Sequence, residues 1–160
     1  MAVIALLLSA LVIAVDRITK ILVVQYIKPV GSRTVIEGWL NLDYEENRGA
    51  AFSFLNDYNC RWILVAVTGV ICVLIIFALF RYTNHGFFSY SACILILGGG
   101  IGNMIDRIAT GYVVDFIRIS FFPAIFNFGD ICVTVGTAFL IIHLLFFSEK
   151  DKVEKVMRMK

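Results

Sequence analysis

Charge is what this sequence has least of. Of its 160 residues only 16% are Asp, Glu, Lys or Arg, where a soluble domain carries about a quarter. Histidine is nearly absent. His85 falls in a short connection and His143 deep in the last apolar stretch, and neither neighbours a cysteine or a carboxylate in sequence. A metal site needs such ligands clustered, so no metal and no other cofactor is expected. The four cysteines, Cys60, Cys72, Cys93 and Cys132, form no C-x-x-C pair, and three fall inside apolar stretches. They read as small packing residues. A net charge of +2 without a basic cluster in the body of the chain gives no nucleic-acid signature. No Lys or Arg precedes the first apolar run, so that run reads as a retained helix rather than a cleavable leader.

What is abundant is apolar sequence: 60% of the residues, with a mean hydropathy of +0.88. A membrane-spanning helix needs roughly 20 mostly apolar residues. Four stretches qualify, at 2–24, 62–80, 87–108 and 128–147. Together they use more than half the chain and predict one membrane domain over residues 1–160. The connections are uneven: 25–61 is long, 81–86 tight, 109–127 of medium length, and 148–160 a charged tail. Lys and Arg are densest in that tail, and Arg81 lies in the tight connection. Basic residues favour the cytoplasmic side, which places both ends and connection 81–86 inside and connections 25–61 and 109–127 outside. Within the first outward connection, residues 34–44 are β-branched and aromatic and partly alternate apolar with polar. That suits one or two short strands in a small sheet on the outer membrane surface, with Trp39, Tyr44 and Trp62 as interface anchors.

Ionisable residues inside a span cost at least about 2.5–3.5 kcal/mol at its centre, so they face protein or water and suggest function. In the first helix Asp16, Thr19 and Lys20 share a face at i, i+3 and i+4. Asp16 and Lys20 make either a structural ion pair or part of a site. In the third, Asn103, Asp106 and Arg107 form a second polar stripe, just after Gly98-Gly99-Gly100-Ile101-Gly102. The Gly98/Gly102 spacing lets another helix approach closely. Asp16-Arg17-Ile18 recurs as Asp106-Arg107-Ile108, a short internal echo.

Asp115 is set in the apolar run Tyr112-Val113-Val114-Asp115-Phe116-Ile117, where poor solvation raises a carboxyl pKa. Asp130 follows Asn127-Phe128-Gly129 at the start of the fourth helix. There it has an ordinary alternative role as the N3 residue of a capping box with Asn127 as N-cap. Both aspartates flank the second outward connection, which Pro123 and Gly129 allow to bend. Two carboxyls sharing one proton are a hydrolytic device: one takes a proton from water while the other gives one to a carbonyl oxygen.

At these residues the sequence resembles the lipoprotein signal peptidase (signal peptidase II) family of bacterial inner membranes. Asp16-Arg17-Ile18-Thr19-Lys20 is similar to its D-x-x-T-K block, Asn47-Arg48-Gly49-Ala50-Ala51-Phe52 to N-x-G-A-A-F, and Gly102-Asn103-Met104-Ile105-Asp106-Arg107 to G-N-x-I-D-R. Val113-Val114-Asp115-Phe116 and Phe126-Asn127-Phe128-Gly129-Asp130 are similar to the two blocks that carry the family's aspartates. The resemblance implies an all-α membrane protein of four helices with a small β-sheet cradle in the first outward loop, including a lid within 34–54. It implies an aspartic endopeptidase that removes signal peptides from prolipoproteins, cutting just before the diacylglyceryl-cysteine. Asp115 and Asp130 would be catalytic. Asn47, Gly49, Asn103, Arg107 and Asn127 would bind substrate, and Asp16, Lys20 and Asp106 would support the site. The partners would be the lipid-modified substrate and membrane lipids, with the enzyme acting as a monomer. Other classes remain open at this point: a different intramembrane aspartyl protease, a small transporter using Asp16, Arg17, Asp106 and Arg107 as a charge pathway, or a non-enzymatic assembly factor.

Overall fold

The computed structural model describes residues 2–49, 58–81 and 86–147, without the side chains of 58–60. The expected lid beyond Gly49, His85, the Cys60 side chain and the basic tail lie outside these residues.

Among the described residues there are four long helices: α1 (Ala2–Tyr26), α2 (Tyr58–Arg81), α3 (Phe87–Ala109) and α4 (Phe128–Phe146). Each is long and apolar enough to cross a membrane, α2 over Arg61–Arg81. They match the four apolar stretches to within a few residues at either end. Among the described residues, two of the three connections carry strands. The first holds β1 (Ser32–Ile36) and β2 (Leu40–Asn47), as its alternation suggested. The connection after α3 holds β3 (Val113–Ile119) and β4 (Ile125–Phe126). All four make one antiparallel sheet in the order β1-β2-β3-β4. The sheet is therefore built from both connections rather than from the first alone.

The third connection hides its strand in the sequence for a physical reason. Val113, Val114, Asp115 and Phe116 are all buried. A strand covered on both faces reads as a continuous apolar run and loses the period-2 signal. Val114 and Phe116 pack with Val23 and Ile27 at the end of α1, joined by Leu42, Tyr112 and Phe128. That cluster fastens the sheet to one end of the bundle. Gly111, with φ +89, makes the sharp turn from α3 into β3, a conformation that side chains with a Cβ rarely adopt. Only a few residues thus separate the end of α3 from Asp115.

A second apolar cluster fills the bundle away from the sheet: Ala5, Cys72, Leu79, Cys93 and Leu97, from α1, α2 and α3. The glycine run of α3 sets how closely its neighbours lie. A Cβ at Gly98 would run into Val12, and one at Gly102 into Asp16, both on α1. A Cβ at Gly99 would collide with the backbone carbonyl of Gly129 on α4. The Gly98/Gly102 pair thus does admit a helix, and Gly99 admits another. Of the expected interface anchors, Trp39 and Trp62 are exposed, with Trp39 edge-on to Phe121 at 5.5 Å. Tyr44 is half-buried, its hydroxyl between Lys28 and Glu46 at 2.9 Å from each.

Candidate active site

Asp115 is the third residue of β3, opposite Glu45 in the register with β2. Its carboxylate is buried and accepts from Asn47 Nδ2 at 2.8 Å on Oδ2 and from Asn127 Nδ2 at 2.6 Å on Oδ1. Burial pushes its carboxyl up to about 6. The negative charge of Asp130 adds to this shift, while the two amide donors oppose it. A carboxyl near 6 exchanges its proton close to neutrality, which suits acid–base work.

Asp130 stands in the first turn of α4, and its capping role is real. Asn127 is the N-cap, its Oδ1 accepting from the Asp130 backbone N–H at 3.0 Å. Asp130 Oδ2 accepts in return from the Asn127 backbone N–H at 3.1 Å. That leaves Oδ1, which accepts from Asn103 Nδ2 at 2.8 Å. The cap does not compete with a site role; it holds the carboxylate in place with one oxygen and leaves the other directed at α3. Asn127 is bonded to both aspartates at once, through its side-chain amide to Asp115 and through its backbone to Asp130. It is fully buried, and β4 ends at the residue before it.

Behind this pair lies a knot of charge. Lys20 Nζ, almost fully buried, donates to Asp16 Oδ2 at 2.7 Å and to Asn103 Oδ1 at 2.7 Å, and lies 2.9 Å from Asp106 Oδ2. Asp106 also pairs with Arg17, so the two halves of the Asp-Arg-Ile echo meet each other. The other Asp16 oxygen accepts from the Gly129 backbone N–H at 2.9 Å, which ties α1 to the first turn of α4. Buried charges at this density persist only when paired, and each of these has an opposite charge beside it.

Every expected site residue described by the structure converges on one end of the bundle. Gly49 donates its N–H to Asn47 Oδ1 at 3.1 Å, so it orients an amide. Arg107 makes a long bond of 3.4 Å to the Asn103 carbonyl and lines a cavity of about 270 Å³ between α2, α3 and α4. Asn103 and Asp130 also line it, facing apolar residues that include Leu64, Ile71 and Val133. Asp115 stands outside that lining, covered by its two amide partners. Two contributors escaped the sequence reading. Arg17 figures in the sequence only in the echo and in the charge-pathway alternative, and Gly129 only as a residue that lets the chain bend, because a backbone N–H leaves no mark on composition. Among the described residues no group of three or more His, Cys, Asp or Glu stands close enough to hold a metal ion.

Fold and site together define a class: a polytopic membrane protein carrying a linked pair of carboxyls at one end of its helix bundle. A family model described as signal peptidase (SPase) II matches residues 8–146. The lipoprotein signal peptidase of Caldanaerobacter subterraneus subsp. tengcongensis is 40% identical over 89% of this chain and 96% of that relative. That of Clostridioides difficile is 36% identical over 92% and 98%. A solved bacterial membrane enzyme superposes with a TM-score of 0.79 at 30% identity, covering 90% of this chain and 94% of that one. The chain belongs to the signal peptidase II family, and it is a multi-pass membrane peptidase.

Proposed function

We propose that this protein removes signal peptides from prolipoproteins by aspartic catalysis, cutting just before the lipid-modified cysteine. The observation that carries the reading is the double grip of Asn127, which bonds Asp115 and Asp130 together. Beside Asp130 lies a cavity with a polar end and apolar walls, suited to a peptide that is itself a membrane helix. The ionised carboxylate takes a proton from water as the water oxygen bonds to the scissile carbonyl carbon. The protonated carboxyl gives its proton to the carbonyl oxygen. The tetrahedral intermediate then collapses: the C–N bond breaks, the amine leaves with the proton of one carboxyl, and the other carboxylate takes the proton of a hydroxyl of the intermediate as the carbonyl re-forms, so the pair again holds one proton.

A peptide leaving helical geometry near the membrane frees backbone groups that need new partners. Asn103 and Arg107 on the cavity wall are placed to supply them, with Asn47 and Asn127 beside Asp115. Lys and Arg density puts both chain ends in the cytoplasm and the sheet end outside the inner membrane. One copy contains every group the mechanism uses, so a monomer suffices, and a chelator is expected to leave activity intact. The test is cleavage of a lipidated prolipoprotein by purified Asp115→Asn and Asp130→Asn proteins shown to be folded. Each is expected to be inactive. Full cleavage by either one removes the aspartic reading.

A further inference from the structure

Three asparagines surround the carboxyl pair, and each amide is pinned at its oxygen end. Asn47 Oδ1 accepts from the Gly49 N–H at 3.1 Å, and Asn127 Oδ1 from the Asp130 N–H at 3.0 Å. Asn103 Oδ1 accepts from Lys20 Nζ at 2.7 Å. A primary amide has a donor end and an acceptor end, and a half-turn exchanges them. A donor fixed on Oδ1 therefore decides where Nδ2 points. In all three cases it points at a carboxylate.

The three pins are not alike. Those on Asn47 and Asn127 are neutral backbone groups, and both of these amides serve Asp115. The pin on Asn103 is an ammonium, and that amide serves Asp130. A cation on the amide oxygen polarises the amide and strengthens the hydrogen bond its N–H donates. Asp130 also accepts a backbone N–H at the N-terminus of α4, where negative charge is favoured. The charged groups facing Lys20 are Asp16 and Arg17 from α1, Asp106 from α3 and Asp130 from α4. Those facing Asp130 are Lys20, Arg107 and, across Asn127, Asp115. An ammonium has three N–H groups; here it donates to Asp16 and Asn103, with Asp106 beside it as an ion pair.

We propose that Lys20 is a positioning residue for the hydrolytic step: through the Asn103 amide it makes Asp130 the member of the pair that holds the negative charge, leaving the shared proton on Asp115. Asp130 then takes the proton from water, and Asp115 protonates the carbonyl oxygen. This rests on the aspartic reading above.

The test uses Lys20→Met, which keeps length and removes charge, assayed on a lipidated prolipoprotein peptide from about pH 5 to about pH 9. In folded protein kcat is expected to fall about 10- to 100-fold with KM changed less than about threefold. The acidic limb of the kcat profile is expected to move to higher pH, because the pair ionises less readily without the cation. If Lys20 acts through Asn103, then Lys20→Met in an Asn103→Leu background adds little to the loss from Asn103→Leu alone. A folded Lys20→Met enzyme with the wild-type profile overturns the proposal, as do losses that multiply in the double variant. Should Lys20→Met fail to fold, Asn103→Asp keeps a partner for Lys20 but turns an oxygen toward Asp130. It is expected to fold and to lose activity at neutral pH, and a wild-type profile there also overturns the proposal. Inactive Asp115→Asn and Asp130→Asn proteins beside an unaffected Lys20→Met enzyme would refute the Lys20 assignment alone. Activity in the aspartate variants would refute the mechanism beneath it.

Discussion

α2 and α3 are nearly equal in length, at 24 and 23 residues, yet they serve the protein in different ways. Half of the most apolar stretch of α3 is buried inside the protein, 50% against 11% for α2. α3 meets α1 through Gly98 and Gly102, α4 through Gly99 and α2 through Gly100, and its Asn103 and Asp106 join the polar knot. α2 turns Val67, Val70, Leu74 and Phe77 outward and buries Cys72 and Leu79. Lipid chains are as apolar as these side chains, so their exposure to a bilayer carries no hydrophobic cost. Helix association there depends on close packing and polar bonds. Both concentrate on α3. The residues that hold this protein together are therefore largely those that hold its carboxyls.

Gly99→Val tests the comparison hardest. The nearest atoms to a Cβ at Gly99 are the Gly129 backbone and Cys132 Cβ, the latter at 3.0 Å. Neither is the far end of a flexible side chain, so α3 and α4 must separate. The expected loss is about 3 kcal/mol or more, read by thermal unfolding in detergent. Activity should fall by about 100-fold, since a displacement of about 1 Å suffices for that and the Asn103–Asp130 bond spans this joint. A folded, active Gly99→Val protein would show that the joint is not what aligns the site.

The next effect is a pH dependence at the carboxyl pair. Asp115 is raised from 3.8 to about 6, so the folded protein binds this proton more tightly than the unfolded chain does. Its contribution to stability is complete below about pH 4 and is lost as pH rises through about 6, a change of roughly 3 kcal/mol for a shift of about two units. Thermal stability should thus fall from pH 4 to pH 8, and Asp115→Asn should flatten that slope whatever its effect on absolute stability. An unchanged slope would place the titrating group elsewhere. α2 has no carboxylate and should show no counterpart.

The two helices also differed in how far they could be read from sequence. α2 was legible at once, because an unbroken apolar run has one simple explanation. The polar stripes of α1 and α3 were legible as anomalies, and both proved to belong to the knot. Their partners were not, since Lys20 meets Asn103 across 83 residues and no local spacing encodes that. The capping box at Asn127 and Asp130 was read correctly from local chemistry, while its joint use by Asp115 required β3. That strand is not legible in the sequence, because burial on both faces erases its alternation. Among the glycines, the Gly98/Gly102 spacing announced one close helix contact. Gly99 carries the second, which depends on Gly129 some thirty residues away.

Within the same glycine run Gly100→Ala should be mild. A Cβ there would meet Thr68 Cγ2 at 3.4 Å and Cys72 Sγ at 3.9 Å, ordinary contacts with α2. Stability should change by less than about 1 kcal/mol, helped by the better helix propensity of alanine. Gly100 lines the cavity, so any effect belongs in KM. A loss as large as that of Gly99→Val would mean that α2 is packed as tightly as α4.

The smallest effect is expected on the outer face of α2, where the comparison can be made with one chemistry. Leu74 of α2 is 61% exposed and Leu97 of α3 is 1% exposed. Leu97→Ala empties part of a packed cluster that includes Ala5, Cys72 and Cys93 and should cost about 2–4 kcal/mol. At Leu74→Ala lipid or detergent fills the space, no protein contact of consequence is lost, and the change should stay within about 0.5 kcal/mol. Activity should be unaffected by the Leu74 substitution, because that side chain reaches neither the cavity nor the knot. Equal losses at the two positions, measured by unfolding in the same detergent, would mean that the outer face of α2 is covered by protein. A second copy of the chain would then become the natural occupant, and the monomer would no longer suffice.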